Sequence, residues 1–330
     1  MHPAALSDRY ANVPVLVLGA SGFVGRSVAR VLTDAGAELH MGARDPQALQ
    51  AVCKSCGIVG QIHRVDLAQR GAVTDLVRAR RPALVFNLVG YGVAPSERTT
   101  AIAESLNRDL PAELALACQR ATGADWPGLQ LVHAGTALEY GPVDGEVRET
   151  LPREPTTLYG RTKLAGSAAI EAVCQAGSLR AAVGHIFTAY GPGERLPRLL
   201  PTLLAARHHR LPLELTAGLQ QRDFVHVGDV AEALLRLGAL PREGYTCVNV
   251  ATGTLCSVRE FVETAAEVLG LDPTRLRFGT RPYLPEEMWH GPVAVDTLRS
   301  HLGWIPGRSV RDGIGATART LAACGPRTTT

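Results

Sequence analysis

The sequence predicts an α/β protein: a doubly wound parallel sheet with a smaller, interleaved α/β lobe. Three observations predict it. Short apolar, β-branched runs alternate with helical patterns from residue 13 to about 190, the rhythm of parallel strands joined by right-handed crossovers. A glycine-rich turn separates the first run from the first helical pattern. After "YGPGERLP" (190–197) the rhythm gives way to mixed segments.

Each element has its own warrant. "VPVLVLG" (13–19) is short, apolar and ended by glycine, so it reads as a buried strand. "VGRSVARVLTDAG" is the following helix, closed by Gly36, and "AELHMGA" is a second strand. Asp45 and Pro46 read as the N-cap and first position of the next helix. "GIVGQIHRVDL" and "PALVFNLVG" supply strands three and four around helical "RGAVTDLVRARR". A long helix is expected over 97–121, then the strand "LQLVHAG", the helix "LYGRTKLAGSAAIEAVCQAG" and the strand "RAAVGHIF". Beyond these, "LPRLLPTLLAARHH", "DVAEALLRLGA" and "SVREFVETAAEVLG" read as helices, with "DFVHV" and "YTCVNVA" extended between them.

Composition narrows the class. The chain has 330 residues, 46% hydrophobic and 20% charged, with a formal net charge of +3, which is too balanced for a nucleic-acid binder. The start shows no charged region followed by a long apolar core, and no apolar run reaches membrane-spanning length. Seven scattered cysteines suit a reducing cytoplasm better than a disulfide framework. "CKSC" (Cys53, Cys56) has metal or redox spacing, but a structural zinc needs about four ligands. With His63 the set is still one short, so ordinary helix thiols are expected and no metal. The closing "CGPRTTT" reads as a frayed tail.

"GASGFVG" sets Gly19, Gly22 and Gly25 between the first strand and first helix. A tight turn, a close pyrophosphate and helix–strand packing each demand a missing side chain, and a helix N-terminus offers free N–H groups to phosphate. Ser21, Phe23 and Val24 belong to the same turn, a Rossmann-type dinucleotide site. Arg44 stands where the second strand runs out, where an arginine suits the 2′-phosphate of NADPH and an acid suits NAD. Asp45 competes for that role, but its place before Pro46 gives it a capping task, so NADPH is favoured with NAD as the alternative. Asp66 and Leu67 follow the third strand, at the adenine end; Asp66 equally suits the cap of the next turn.

In "LYGRTKLAG" (158–166), Tyr159 and Lys163 are four apart on one helix, so their side chains share a face. On spacing alone this is either a solvated surface pair or a phenol whose pKa is pulled down by an ammonium.

The glycine turn, "VDL", "VFNLVG", "HAGTALEYG", "YGRTK", "YGPGE" and "RDFVHVGDVAEA", in this order from about 13 to 315, resemble the extended short-chain dehydrogenase/reductase superfamily. More narrowly they resemble its nucleotide-sugar epimerase/dehydratase branch. The resemblance implies that Tyr159 is the catalytic acid/base, that Lys163 is its electrostatic partner and holds the nicotinamide ribose, and that Thr136 hydrogen-bonds the reacting oxygen. Ketone reduction needs a proton for the developing alkoxide and a donor to stabilise it, which these side chains can supply. Leu88, Val89, Gly90 and Tyr91 are expected to line the nicotinamide and sugar pocket. A homodimer through a four-helix bundle of 97–121 and 157–177 is likewise implied by resemblance.

Departures narrow the branch. The 4,6-dehydratases carry Asp and Glu directly after the catalytic Thr; Ala137 and Leu138 stand there, and neither transfers a proton. "FGTRPYLPEEMW" (278–289) resembles a loop of the nucleotide-linked 4-keto-6-deoxyhexose 4-ketoreductases. Arg222 and Arg281 are candidates for a substrate diphosphate, since guanidinium forks suit phosphate oxygens. Thr188 replaces the family's Asn before "YGPG". The expectation is a cytoplasmic NADPH-dependent ketoreductase of a nucleotide-linked deoxysugar. The alternatives are an epimerase retaining NAD(P) and a non-catalytic NADP-binding regulator. Residues 1–190, with parts of 225–255, are expected to hold NADP, and 191–330 the nucleotide sugar.

Overall fold

The computed structural model describes residues 6–93, 97, 99–121, 126–283 and 287–323. A short helix α1 (Leu6–Tyr10) leads into β1 (Pro14–Leu18), whose apolar run is buried on both faces from Val15 onward, as a central parallel strand requires. Next come α2 (Phe23–Asp34), β2 (Glu38–Ala43), α3 (Pro46–Cys56), β3 (Gln61–Arg64), α4 (Ala72–Arg80) and β4 (Leu84–Asn87). Asp45 caps α3 by accepting from the N–H groups of Gln47 and Ala48, both at 3.0 Å, and Gly57 closes it in the left-handed conformation. β3 is shorter than its apolar run because Gly60, just before it, packs tightly: a Cβ there would lie 2.7 Å from the Leu39 carbonyl oxygen.

The helix expected over 97–121 is three pieces in unbroken succession: α5 (Thr100–Glu104), a π turn (Ser105–Asp109) and α6 (Leu110–Arg120). β5 (Leu131–Thr136), α7 (Leu158–Ala176) and β6 (Ala181–Ile186) follow. β7 (Thr188–Tyr190), α8 (Leu199–Ala205), β8 (Leu213–Leu215), β9 (Gln221–His226), α9 (Val227–Gly238) and β10 (Tyr245–Val250) come next. β11 (Leu255–Ser257), α10 (Val258–Leu269), β12 (Leu276–Phe278), α11 (Asp296–Leu302) and α12 (Val310–Ala323) complete the chain, and the "CGPRTTT" tail lies outside the described residues.

Seven strands form one parallel sheet in the order β3-β2-β1-β4-β5-β6-β10. The chain builds outward from β1 to β3, then returns to β4 and builds the other way. The order therefore reverses between β1 and β4, and the carboxyl ends of these strands open the crevice where such sheets bind ligands. One face is packed by Val28, Ala29 and Leu32 of α2 with Val230 and Leu234 of α9. The other is packed by Val73 and Val77 of α4, Leu110 and Leu114 of α6, and Ile170 of α7. The late strand β10 pairs with β6, so residues beyond 240 rejoin the sheet.

A separate core gathers Leu200 and Leu203 of α8, Phe224 of β9, Phe261 and Val262 of α10 and Ile314 of α12, with Phe224 and Phe261 stacked at 4.1 Å between ring centres. Two small sheets, β11-β9-β7 and β12-β8, belong to this second lobe. β9 answers to the extended "DFVHV", whereas β7, β8, β11 and β12 were not foreseen, because three-residue strands carry almost no periodicity. Among the described residues no helix is long and apolar enough to cross a membrane.

Candidate active site

The turn between β1 and α2 is made of backbone. Gly19 has φ +84°, and a Cβ on it would lie 2.8 Å from the Leu88 carbonyl carbon and oxygen; a Cβ on Gly25 would lie 2.0 Å from the Gly19 oxygen. Gly22 caps α2 without a side-chain bond, and the first turn carries no acid. The N–H groups that start α2 thus face the crevice with positive potential and no competing carboxylate. Arg26 donates from Nε to the Gly22 carbonyl at 3.1 Å and from its terminal nitrogen to the Ser21 carbonyl at 2.8 Å, bracing the turn from behind. Phe23 and Val24 are half-buried, and Val24 packs on the core. A dinucleotide pyrophosphate fits a cradle whose narrowest points would be filled by any added Cβ.

At the far end of β2 and β3, Arg44, Asp45, Pro46, Gln47 and Arg64 line one open pocket. Both arginines are exposed, on adjacent strand ends, and Arg64 follows the register partner of Gly42. Asp45 is engaged as the α3 cap, so the pocket's face is dominated by two guanidinium groups. Arg64 is a candidate that sequence reading passed over, because only the pairing of β2 with β3 brings it beside Arg44. Asp66 accepts from the Ala68 N–H at 3.1 Å and so closes a turn, while Leu67 packs on the sheet core.

The catalytic candidates gather on the β4–β5 side. Leu88 and Val89 follow β4 directly; Lys163 Nζ donates to the Val89 carbonyl at 3.5 Å. A Cβ on Gly90 would lie 3.3 Å from the Tyr159 hydroxyl, so the phenol lies against the bare backbone beside Val89. Thr157 caps α7 through its Oγ1, which accepts from the Gly160 N–H at 2.9 Å, and so sets Tyr159 in the first helical turn. Thr136 ends β5 with its Oγ1 accepting from the Leu138 N–H at 3.3 Å and its N–H donating to Glu139 Oε1 at 2.9 Å.

One expectation is overturned. Lys163 was expected to draw the Tyr159 pKa down; instead burial raises it, with Glu139 and Glu97 adding to the rise and Arg198 opposing it. The physical reason is where the ammonium goes: Lys163 Nζ lies 3.1 Å from His133 Nε2, inside the fold. Burial also lowers the Lys163 pKa to about 8, with Glu139 pulling the other way. A phenol held protonated is a proton donor, which suits delivery of a proton to an alkoxide.

Asn107 is a second residue that sequence reading missed. It is buried on the π turn, accepts from the Tyr91 N–H at 3.0 Å, and donates to the Tyr91 carbonyl at 2.7 Å and to Thr162 Oγ1 at 2.9 Å. It ties the loop after β4 to α7 and fixes the half-buried Tyr91. The signal was absent from sequence because a π turn shifts the helical phase without changing the residue pattern.

On the second lobe, Arg222 is buried on β9 and ion-paired with Glu287, which also accepts from Gln220 at 3.4 Å. Arg281 is exposed, and its backbone N–H donates to the Leu215 carbonyl at 3.1 Å. Thr188 opens β7 opposite Phe224 of β9. Tyr283 and Trp289 stand edge to face at 5.4 Å, flanking residues 284–286, which lie outside the described residues. Cys53 is buried with Sγ 3.9 Å from Met41 Sδ, and Cys56 is half-buried.

Comparison with known proteins identifies the family. The sequence pattern of the NAD dependent epimerase/dehydratase family matches residues 15–251. The chain is 31% identical over 314 residues to a dTDP-6-deoxy-L-talose 4-dehydrogenase (NAD(P)(+)) of Kitasatospora kifunensis, covering 91% of this chain and 93% of the relative. It is 30% identical to a UDP-glucose 4-epimerase of Azospirillum brasilense, covering 94% and 92%. Among solved structures, MoeE5 in complex with UDP-glucose and NAD superposes with a TM-score of 0.79 at 28% identity, covering 93% of this chain and 98% of that one. The chain belongs to the NAD dependent epimerase/dehydratase family of extended short-chain dehydrogenases/reductases.

Proposed function

We propose that this member of the family is an NADPH-dependent ketoreductase acting on a nucleotide-linked 4-keto-6-deoxy sugar, with C4 as the reduced carbon. The bound dinucleotide would supply the hydride; the chain's own residues do the rest. The observation that carries the reading is the Tyr159 hydroxyl, lying against Gly90 where the crevice floor has no side chain. From there the phenol gives its proton to the alkoxide and Thr136 Oγ1 donates to the same oxygen, while Lys163 would hold the ribose. Ala137 and Leu138 offer no second acid or base after Thr136, which argues against dehydration.

The paired guanidinium groups of Arg44 and Arg64 support NADPH over NAD, since two cations converging on one pocket match a 2′-phosphate. Gly19, Ser21, Gly22, Phe23, Val24 and Gly25 would hold the pyrophosphate, Asp66 and Leu67 the adenine, and Leu88, Val89 and Gly90 the nicotinamide. Tyr91, Thr188, Arg222 and Arg281 would line the nucleotide-sugar side; Arg222 reaches a diphosphate only when Glu287 swings away. Residues 1–190 with the α9–β10 stretch would form the cofactor domain and the rest the substrate lobe. The six free cysteines among the described residues suit a cytoplasmic setting. α5–α6 and α7 pack closely, with a Gly166 Cβ position 2.1 Å from the Asn107 carbonyl oxygen, and would pair with a second copy as a four-helix bundle.

A second reading, an epimerase retaining NAD(P), is favoured by the 30% identity to the UDP-glucose 4-epimerase. The experiment that separates them is incubation with dTDP-, CDP- and GDP-linked 4-keto-6-deoxyhexoses. Stoichiometric NADPH consumption with one of them is the expected result. Purification with tightly bound NAD, and no consumption, would favour the epimerase.

A further inference from the structure

Behind Thr136, Tyr159 and Lys163 lies a buried polar cluster that the mechanism above does not use. Glu139, His133, His185 and Ser167 are fully buried, and Lys163 is 1% exposed. Glu139 Oε1 accepts from the Thr136 N–H at 2.9 Å, and its Oε2 lies 3.3 Å from His185 Nε2. Lys163 Nζ lies 3.1 Å from His133 Nε2. His185 is the register partner of Gly135, two residues beyond His133 on β5, so both imidazoles stand on one face of neighbouring strands. A Cβ on Gly135 would come within 3.0 Å of both Glu139 Oε1 and the His185 ring, so the glycine leaves the room this cluster fills.

A buried carboxylate and a buried ammonium each carry a large desolvation penalty, and only mutual compensation keeps both charged. We propose that Glu139 is the buried counter-charge of Lys163 and a positioning residue for the catalytic wall: one oxygen pins the Thr136 backbone, and the carboxylate balances the ammonium that shares its buried cluster. This rests on the reading of Tyr159 and Lys163 as the reacting pair.

The electrostatics run in the same direction. Burial lowers the Lys163 pKa to about 8, and Glu139 is the group that opposes the fall. Burial pushes the Glu139 carboxyl up, but His185, Lys163 and Ser167 more than offset it, leaving it below the usual value. Burial and the Lys163 charge hold His133 well below the usual imidazole range, so it is neutral and accepts from the ammonium. Arg153, Tyr140 and Tyr245 also face Glu139, and Arg198 and Glu97 face Tyr159. None of these also holds the Thr136 N–H, as Glu139 does.

The chain contains two lysines, Lys54 and Lys163, so protein labelled with ¹³C,¹⁵N-lysine gives two side-chain signals, assigned through Lys54→Arg. In the wild type the Lys163 signal is expected to titrate near about 8. In Glu139→Gln, which keeps an acceptor for the Thr136 N–H, the midpoint is expected to fall by about 1 in pH, and the alkaline limb of kcat with it. Glu139→Asp should restore the midpoint. An unchanged or higher Lys163 midpoint in Glu139→Gln would overturn the proposal. Should that variant not fold, His185→Gln decides: a midpoint at or above wild type supports the role, and a fall contradicts it. Because the lysine titration needs no substrate, it stands whether or not the keto sugar is turned over.

Discussion

In the glycine turn, the groups offered to the crevice are backbone N–H groups at the start of α2, all within the seven residues from Gly19 to Gly25. In the second lobe, the corresponding cation, Arg222, is held by a carboxylate 65 positions away, on the far side of a loop. The first region is rigid because adding even one Cβ collides with backbone, as the 2.0 Å approach at Gly25 shows. The second is held by a side-chain pair that a diphosphate can replace with a better one. On the proposed reading, the dinucleotide would bind a preformed surface and the sugar nucleotide a surface that must exchange partners.

Four variants break or sharpen this contrast. Tyr159→Phe should lower kcat by about 10²–10⁴, the span of a lost general acid, while fluorescence titration shows dinucleotide binding intact. Gly25→Ala should cost about 1–3 kcal/mol of strain at the turn, about 5- to 150-fold in dinucleotide affinity, without moving the sugar-nucleotide KM of whatever enzyme remains saturable. Arg44→Ala with Arg64→Ala should remove two charge-assisted bonds, about 1.5–3 kcal/mol each, from NADPH and none from NADH; the ratio of their dissociation constants reports it. Glu287→Gln should cost about 1 kcal/mol in urea unfolding, because Arg222 loses its charged partner, and should lower the sugar-nucleotide KM, because a diphosphate no longer competes with a carboxylate. If Glu287→Gln raised that KM instead, Glu287 would be holding Arg222 in its binding pose, and the contrast between the two regions would disappear.

The same contrast explains what the sequence made legible. The seven-stranded sheet, its helices and the α3 cap at Asp45 all follow from local pattern: apolar runs, capping residues and glycines act within a few positions of themselves. The glycine turn and the Tyr159–Lys163 spacing are local in the same sense. Arg222–Glu287 and the three-residue strands β7, β8, β11 and β12 depend on long-range contact and left no periodic trace. Arg64 was overlooked because its value comes from lying beside Arg44 across two strands. Glu139 did leave a signal: Thr136-x-x-Glu139 is the spacing of a capping box, and the structure contains one there. That spacing alone carries no hint that the same carboxylate shares a buried cluster with Lys163. The direction of the Tyr159 pKa was misjudged for a related reason, since i,i+4 spacing puts two side chains on one face without fixing where an ammonium points.

The central claim is that Tyr159 protonates an oxygen whose carbon receives hydride from a dinucleotide that then leaves. Incubating the enzyme with a nucleotide-linked 4-keto-6-deoxyhexose and NADPH deuterated at the transferable position tests it most directly. The account predicts one deuterium in each product sugar, with an equal amount of NADP⁺ released, and neither with Tyr159→Phe. Inversion of a hydroxyl-bearing sugar with the oxidised dinucleotide retained, and no deuterium entering product, would contradict it.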